Sequence, residues 1–296
     1  MLSKNLISNY ITPLNPIPTS LKKTGKIDGK IKCILFDIYG TLFISGSGDI
    51  SIAEKKSHNI HLLEQLLLKY GIKRKPHIIL DDLFSAIKKK HDEMRGKGID
   101  FPEVEIDRIW TSILENNDLD FIRRFAVEFE MLVNPVYPMP HIRELLFACK
   151  DSKLLTGIIS NAQFYTPYLF KWLLGSDMSD LGFHNDLIIF SYKFGYAKPS
   201  TFLFQHAAER LNKMNIRKNS VLYIGNDMLK DIYPAKKTGF KTALFAGDSR
   251  SLRMRKDDPK CKNLSADIIL TDLVQVFDFI NCKSSATKTQ RLKEEI

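Results

Sequence analysis

Apolar and polar positions follow two rhythms along this chain. Short, predominantly apolar runs occur at residues 34–36, 154–160, 186–191, 220–225 and 241–246. Each has the length and flanks of a strand buried on both faces. Between them, apolar residues recur at helical spacing over residues 141–150, 164–175, 200–214 and 231–239. Strands alternating with helices predict an α/β fold: a doubly wound, Rossmann-like parallel sheet with helices on both faces.

The alternation breaks once. The interval between the first run and the second far exceeds an ordinary crossover. Helical periods fall within it near residues 54–70, 81–95, 103–116 and 118–133, punctuated by Gly71, Pro76, Gly96, Gly98 and Pro135. The pattern predicts a helical domain over residues 46–135, inserted into a core of residues 31–45 and 136–280. Ligands of such sheets bind outside the carboxyl ends of the strands, so an insertion leaving strand one would sit over the site as a lid. Residues 1–30 carry Pro13, Pro16 and Pro18 before a Lys/Gly stretch and read as an extended arm. The polar residues 281–296 read as a disordered tail.

Composition narrows the function classes. With 296 residues, 44% of them apolar, the chain can bury a sizeable interior. Its net charge of +10 is scattered, with short clusters at 88–90 and 250–256 but no basic helix or aromatic-basic array. That is a solvated surface, and no nucleic-acid partner is expected. The four cysteines are far apart with no CxxC pair, which excludes a zinc knuckle and suggests no disulfide framework. No run approaches the roughly 18 apolar residues of a membrane helix. The first thirty residues lack a secretory apolar region, and Arg74 is the first arginine; a cytoplasmic, membrane-free protein is expected.

The polar residues at the strand ends form a set. Strand one ends in Asp37, strand two in Ser160 and Asn161, Lys198 follows strand three, and strand four ends in "GNDMLKD", residues 225–231. Singly, these read as a capping carboxylate, a polar turn, a solvated lysine and acids at a helix start. Together they describe a carboxylate nucleophile beside a lysine and a divalent cation, an arrangement for attack on phosphorus.

This set resembles the haloacid dehalogenase superfamily over about residues 31–276. The matching motifs are Asp37-Ile38-Tyr39-Gly40-Thr41, Ser160, Lys198 and the acidic stretch 225–231, and the insertion resembles that family's first type of helical cap. The resemblance implies a Mg²⁺-dependent phosphatase acting on a small phosphorylated metabolite. It makes Asp37 the nucleophile of an aspartyl-phosphate and, with the Tyr39 carbonyl, a metal ligand. Ser160 and Lys198 would hold phosphoryl oxygens, supported by Asn161 and Thr41. Asn226, Asp227 and Asp231 would complete the metal site.

Two departures matter. Phosphatases of the family carry a second aspartate where Tyr39 stands, to protonate the leaving alkoxide and later activate water. Its loss typically costs about two to four orders of magnitude in rate, unless the leaving group needs no proton or another residue supplies one. A tyrosine there is similar to the 2-haloacid dehalogenases, whose halide leaves unaided and which need no metal. Asp227 and Asp231 nevertheless suit an oxygen-ligated Mg²⁺. The alternatives are therefore a carbon–halogen hydrolase using Asp37 and a phosphate-ligand binding protein without turnover. In the fourth motif Asn226 replaces the usual first acid; Asp227 is the expected direct ligand, because a charged oxygen better offsets Mg²⁺ dehydration. Asp231 would act through water or by orienting Lys198. The stretch 88–110, with His91, Arg95, Lys97, Glu103 and Glu105, reads as a surface turn and stays outside the candidate site.

Overall fold

The computed structural model describes residues 2–46 and 60–280. Strand β1 (Thr24–Gly25) precedes the first apolar run, β2 (Cys33–Phe36), and a short pair, β3 (Phe43–Ser45) and β4 (Val136–Pro138), brackets the insertion. The other runs form β5 (Leu155–Ser160), β6 (Phe183–Phe190), β7 (Val221–Gly225) and β8 (Lys241–Phe245), and β9 (Ile268–Leu270) follows. Seven of these make one sheet in the order β1-β9-β8-β7-β2-β5-β6. It is parallel except for β1, which pairs antiparallel with β9.

Strand β2 is central because it is apolar on both faces. Ile34 and Phe36 enter one core cluster with Leu145 and Phe170, while Cys33 and Leu35 enter another with Leu203 and Phe204. Those partners lie on helices Ile142–Asp151, Thr166–Leu174 and Phe202–Lys213, so the period-two alternation of β2 places helices on both faces. Neighbouring strands approach closely: a Cβ on Gly157 would lie 2.5 Å from the Leu187 Cβ and 2.7 Å from the Leu35 Cδ2. The chain winds from β2 to β5 and β6, then returns to β7 on the other side. The carboxyl end of β2 is therefore the topological switch point, where sheets of this class bind ligands.

Four helices occupy the described part of the insertion: Ile60–Lys69, Pro76–Arg95, Ile106–Leu114 and Leu119–Val133. The start of the first expected period lies outside the described residues. Trp110 packs edge-on against Phe125 and Phe129, with ring centroids 4.9 Å apart in each pair. Asp118 caps the last helix by accepting from the Asp120 and Phe121 amides. The β3–β4 ribbon brings both ends of the insertion side by side next to the switch point.

The arm is less extended than its prolines suggest. It begins with a helical turn, Lys4–Ile7, and a tighter one, Ser8–Tyr10. The Tyr10 hydroxyl donates to the buried Glu128 at 2.7 Å, and the Ile17 amide donates to Asp248 at 3.0 Å. The arm thus crosses from insertion to core before supplying the edge strand β1. The expected tail, 281–296, lies outside the described residues. Among the described residues no helix is long and apolar enough to cross a membrane.

Leu35 is fully buried, whereas Phe147 is 73% exposed. Leu35→Ala should cost about 2–5 kcal/mol in urea unfolding, and Phe147→Ala should stay within about 0.5 kcal/mol of wild type. Equal effects would contradict the placement of the core on β2.

Candidate active site

Asp37 is the first residue beyond β2, and its amide donates to the Ile224 carbonyl of β7 at 2.9 Å. The chain then turns at once: the Ile38 carbonyl accepts from the amides of Thr41, Leu42 and Phe43. Gly40 makes this possible at φ 83°, and a Cβ there would lie 2.5 Å from the Ser251 Cβ and 2.7 Å from the Asn226 Nδ2. The turn presses the first motif against the fourth. The Thr41 hydroxyl donates to the Asn226 Oδ1 at 3.1 Å, and the Asn226 Nδ2 donates to the Ser251 carbonyl at 2.6 Å.

Lys198 joins the motifs electrostatically. Its Nζ lies 2.7 Å from Asp37 Oδ1, 2.5 Å from Asp231 Oδ1 and 3.2 Å from the Tyr223 hydroxyl, all buried. Burial alone would lower its pKa, but Asp231 and Asp37 outweigh that cost and hold the ammonium above its ordinary pKa. Burial lifts Asp231 to about 6, with Lys198 pulling the other way. Asn161 fixes the lysine backbone from both sides, accepting from the Lys198 amide at 2.7 Å and donating to its carbonyl at 3.3 Å. Gly225 leaves room for the second carboxylate, since a Cβ there would lie 2.4 Å from the Asp231 Cγ.

The fourth motif contains a capping carboxylate. Asp227 caps the following turn, accepting from the Leu229 and Lys230 amides at 2.8 and 3.1 Å, and pairs with Arg255 at 2.6 Å. Burial would raise its pKa, but Arg255 and the two amides outweigh it and hold the carboxylate below its usual range. Arg255 thus balances the Asp227 charge, while the Asn226 amide oxygen faces the first motif through Thr41. Among the described residues no cluster of three or more His, Cys, Asp or Glu is arranged to hold a metal ion. The donors that remain are Asp37, Asn226 and the Tyr39 carbonyl, all hard oxygens. Such a sparse set fits Mg²⁺, which keeps several waters and binds through one or two side chains plus substrate oxygens. Asp37 and Asp231 also exceed Lys198 by one negative charge, which a cation would balance.

These groups open on a cavity of about 230 Å³. Asp37, Tyr39, Asn161, Lys198, Asn226, Asp227 and Asp231 line it. Ser160 and Thr41 do not; both are fully buried behind its wall. The Tyr39 hydroxyl lies 2.9 Å from Thr166 Oγ1, and burial pushes its pKa well above the ordinary phenol value. At neutral pH it is a protonated, weak acid turned toward Thr166.

Four charged residues of the cavity escaped sequence reading: Lys230 and Arg253 from the core, and Glu103 and Glu130 from the insertion. Lys230 stands inside the fourth motif, and Arg253 belongs to the 250–256 cluster assigned to surface. Glu103 belongs to the turn also assigned to surface. No local signal marks any of them, because tertiary packing turns them inward.

Residues 31–239 match the profile of the haloacid dehalogenase-like hydrolases. The chain is 26% identical over 215 residues to the glyceraldehyde 3-phosphate phosphatase of Methanocaldococcus jannaschii, covering 72% of this chain and 83% of that one. The fold is similar to that of a phosphatase of the family from Thermococcus onnurineus, with a TM-score of 0.52, 16% identity and coverage of 85% and 99%. It is also similar to 2-haloacid dehalogenase from Pseudomonas syringae pv. Tomato, with a TM-score of 0.50, 17% identity and coverage of 84% and 97%.

Gly225→Ala should displace Asp231 and unseat Lys198, at a cost of about 1–3 kcal/mol in urea unfolding. Gly96→Ala, at φ −59° with its nearest neighbour 3.4 Å from the added Cβ, should be neutral or slightly stabilising. Equal stability of the two variants would show that Asp231 is not held against the strand end.

Proposed function

The chain belongs to the haloacid dehalogenase-like hydrolases, and from that premise we propose that it hydrolyses the phosphate ester of a small metabolite through a covalent intermediate on Asp37. The observation that carries this reading is the Lys198 ammonium at 2.7 Å from Asp37, at the switch point of the sheet. It sets a positive charge against one carboxylate and where a phosphoryl group would sit. Asp37 attacks phosphorus, and Lys198, Lys230 and Arg253 neutralise the phosphoryl oxygens. Asn161 positions Lys198 through its backbone. Ser160 and Thr41 support the loop and the first motif from behind the cavity wall.

Mg²⁺ would be held by Asp37, the Tyr39 carbonyl and Asn226, with Asp231 and Asp227 beside them on the cavity wall. When bound it would add positive charge beside the transferring phosphoryl group. Residues 46–135 act as a cap over the core of 31–45 and 136–280, and the cavity of about 230 Å³ suits a small substrate. The name of the Methanocaldococcus relative supports a short-chain phosphate ester. Cys33 and Cys261 are free, buried thiols, which supports a reducing, cytoplasmic setting.

Tyr39 favours a second reading, carbon–halogen hydrolysis, because a halide needs no proton to leave. Phosphate release that stops with EDTA supports the first reading; halide release from a 2-haloacid that survives EDTA supports the second. A protein that binds phosphate esters tightly and turns over neither substrate would be a ligand-binding relative.

Asp37→Asn should abolish phosphate release while the fold persists. Residual activity above about a tenth of wild type, far more than survives the loss of a covalent nucleophile, would overturn the assignment.

A further inference from the structure

An alkyl phosphate leaves as an alkoxide and needs a proton in the transition state. The Tyr39 hydroxyl is engaged with Thr166 at 2.9 Å, and Lys198 is committed between two carboxylates. Glu103 offers another source. It stands in the turn ahead of the Ile106–Leu114 helix, and that turn is docked on the segment leading to Lys198. Pro102 bridges Tyr196, the Glu103 amide donates to the Gly195 carbonyl at 3.0 Å, and the Ala197 amide donates to the Phe101 carbonyl at 2.7 Å.

The side chain is held by the two loops that carry the site. Glu103 Oε2 accepts from the Ser191 hydroxyl at 2.8 Å, and Oε1 accepts from the Gln163 Nε2 at 3.3 Å. Gln163 lies two residues beyond Asn161, and Ser191 follows β6. The carboxyl faces the same cavity as Asp37 and Lys198. Burial pushes it up to about 7, against the pull of Ser191, the Val104 amide and Lys230. Glu130, Tyr165, Lys230 and Arg253 face the cavity with it, and His91 lies behind on the Pro76–Arg95 helix. Glu130 is the weaker candidate: it is held by Asn134 of its own chain segment at 3.1 Å and by Tyr165, not by the loop of Lys198.

We propose that Glu103 is the proton donor and acceptor of the reaction, replacing the acid that Tyr39 displaces. As an Asp37 oxygen bonds to phosphorus and the ester P–O bond breaks, the Glu103 proton passes to the leaving alkoxide. In the second step water bonds to phosphorus, the Asp37–phosphorus bond breaks, and the water proton returns to Glu103. The sum is ester plus water to alcohol plus phosphate. The assignment rests on the phosphatase reading and adds the residue that completes it.

Glu103→Gln keeps the shape of the side chain and groups able to bond Ser191 and Gln163. The test compares glycerol 3-phosphate, an alkyl ester, with 4-nitrophenyl phosphate, whose leaving group departs unprotonated. The variant should lose about 10²–10³-fold in kcat/KM on the alkyl ester and less than about tenfold on the aryl ester, with phosphoenzyme accumulating because the second step lacks its base. In wild type, kcat/KM for the alkyl ester should fall as pH rises through about 7, since the protonated acid is the active form, and that limb should vanish in the variant. Equal losses on both esters, or a wild-type alkyl profile with no limb near neutrality, overturn the proposal. So does the same selective loss in Glu130→Gln with Glu103→Gln silent. A wild type that releases phosphate from neither ester overturns the phosphatase reading itself, whereas an active wild type with an unaltered ester ratio overturns only the role of Glu103.

Discussion

One buried ammonium organises this molecule. Lys198 is shared between Asp37 and Asp231, which come from the ends of adjacent strands, so three segments distant in sequence meet in one charge cluster. In a dry site such a cluster holds only when every member is paired, and removing one partner typically costs about 3–5 kcal/mol because the others are left buried and uncompensated. Several features serve that pairing. Gly225 leaves space for Asp231, Asn161 clamps the lysine backbone, and the Tyr223 hydroxyl adds a third contact to the ammonium. The cluster retains one surplus negative charge. The same imbalance that makes Asp37 a nucleophile therefore makes the site receptive to a cation and to a phosphoryl group carried with it.

Much of the fold was legible because β2, β5, β7 and β8 are predominantly apolar and separated by helical periods, the pattern of a sheet covered on both faces. The insertion was legible from the same rhythm interrupted. Other elements were silent for physical reasons. β1 spans two residues and β9 three, too short to register against background, and both exist through pairing with an edge the local sequence does not show. The arm illustrates this: its prolines suggest extension, but Ile7 is buried and Tyr10 reaches Glu128, contacts set by chain segments more than a hundred residues away.

The site divides similarly. Asp37, Asn161 and Lys198 were legible from their positions after strands, and the structure brings them together. The pairing of Asp227 was not, because Arg255, which takes its charge, lies in a loop beyond β8. Glu103 was hidden for a related reason. Its neighbours in sequence suggest a solvated turn, and only the docking of that turn against Gly195 and Ala197 carries it inward. Strand-end chemistry is written locally; the charges that tune it arrive through packing.

The central claim is that Asp37 becomes covalently bonded to phosphorus. It is tested most directly by mixing the enzyme with Mg²⁺ and 4-nitrophenyl phosphate, quenching in acid during turnover and mapping the adduct by peptide mass spectrometry. The account predicts a phosphoryl group on the peptide that carries Asp37, absent from Asp37→Asn. Turnover with no adduct, or an adduct on any other residue, would contradict it.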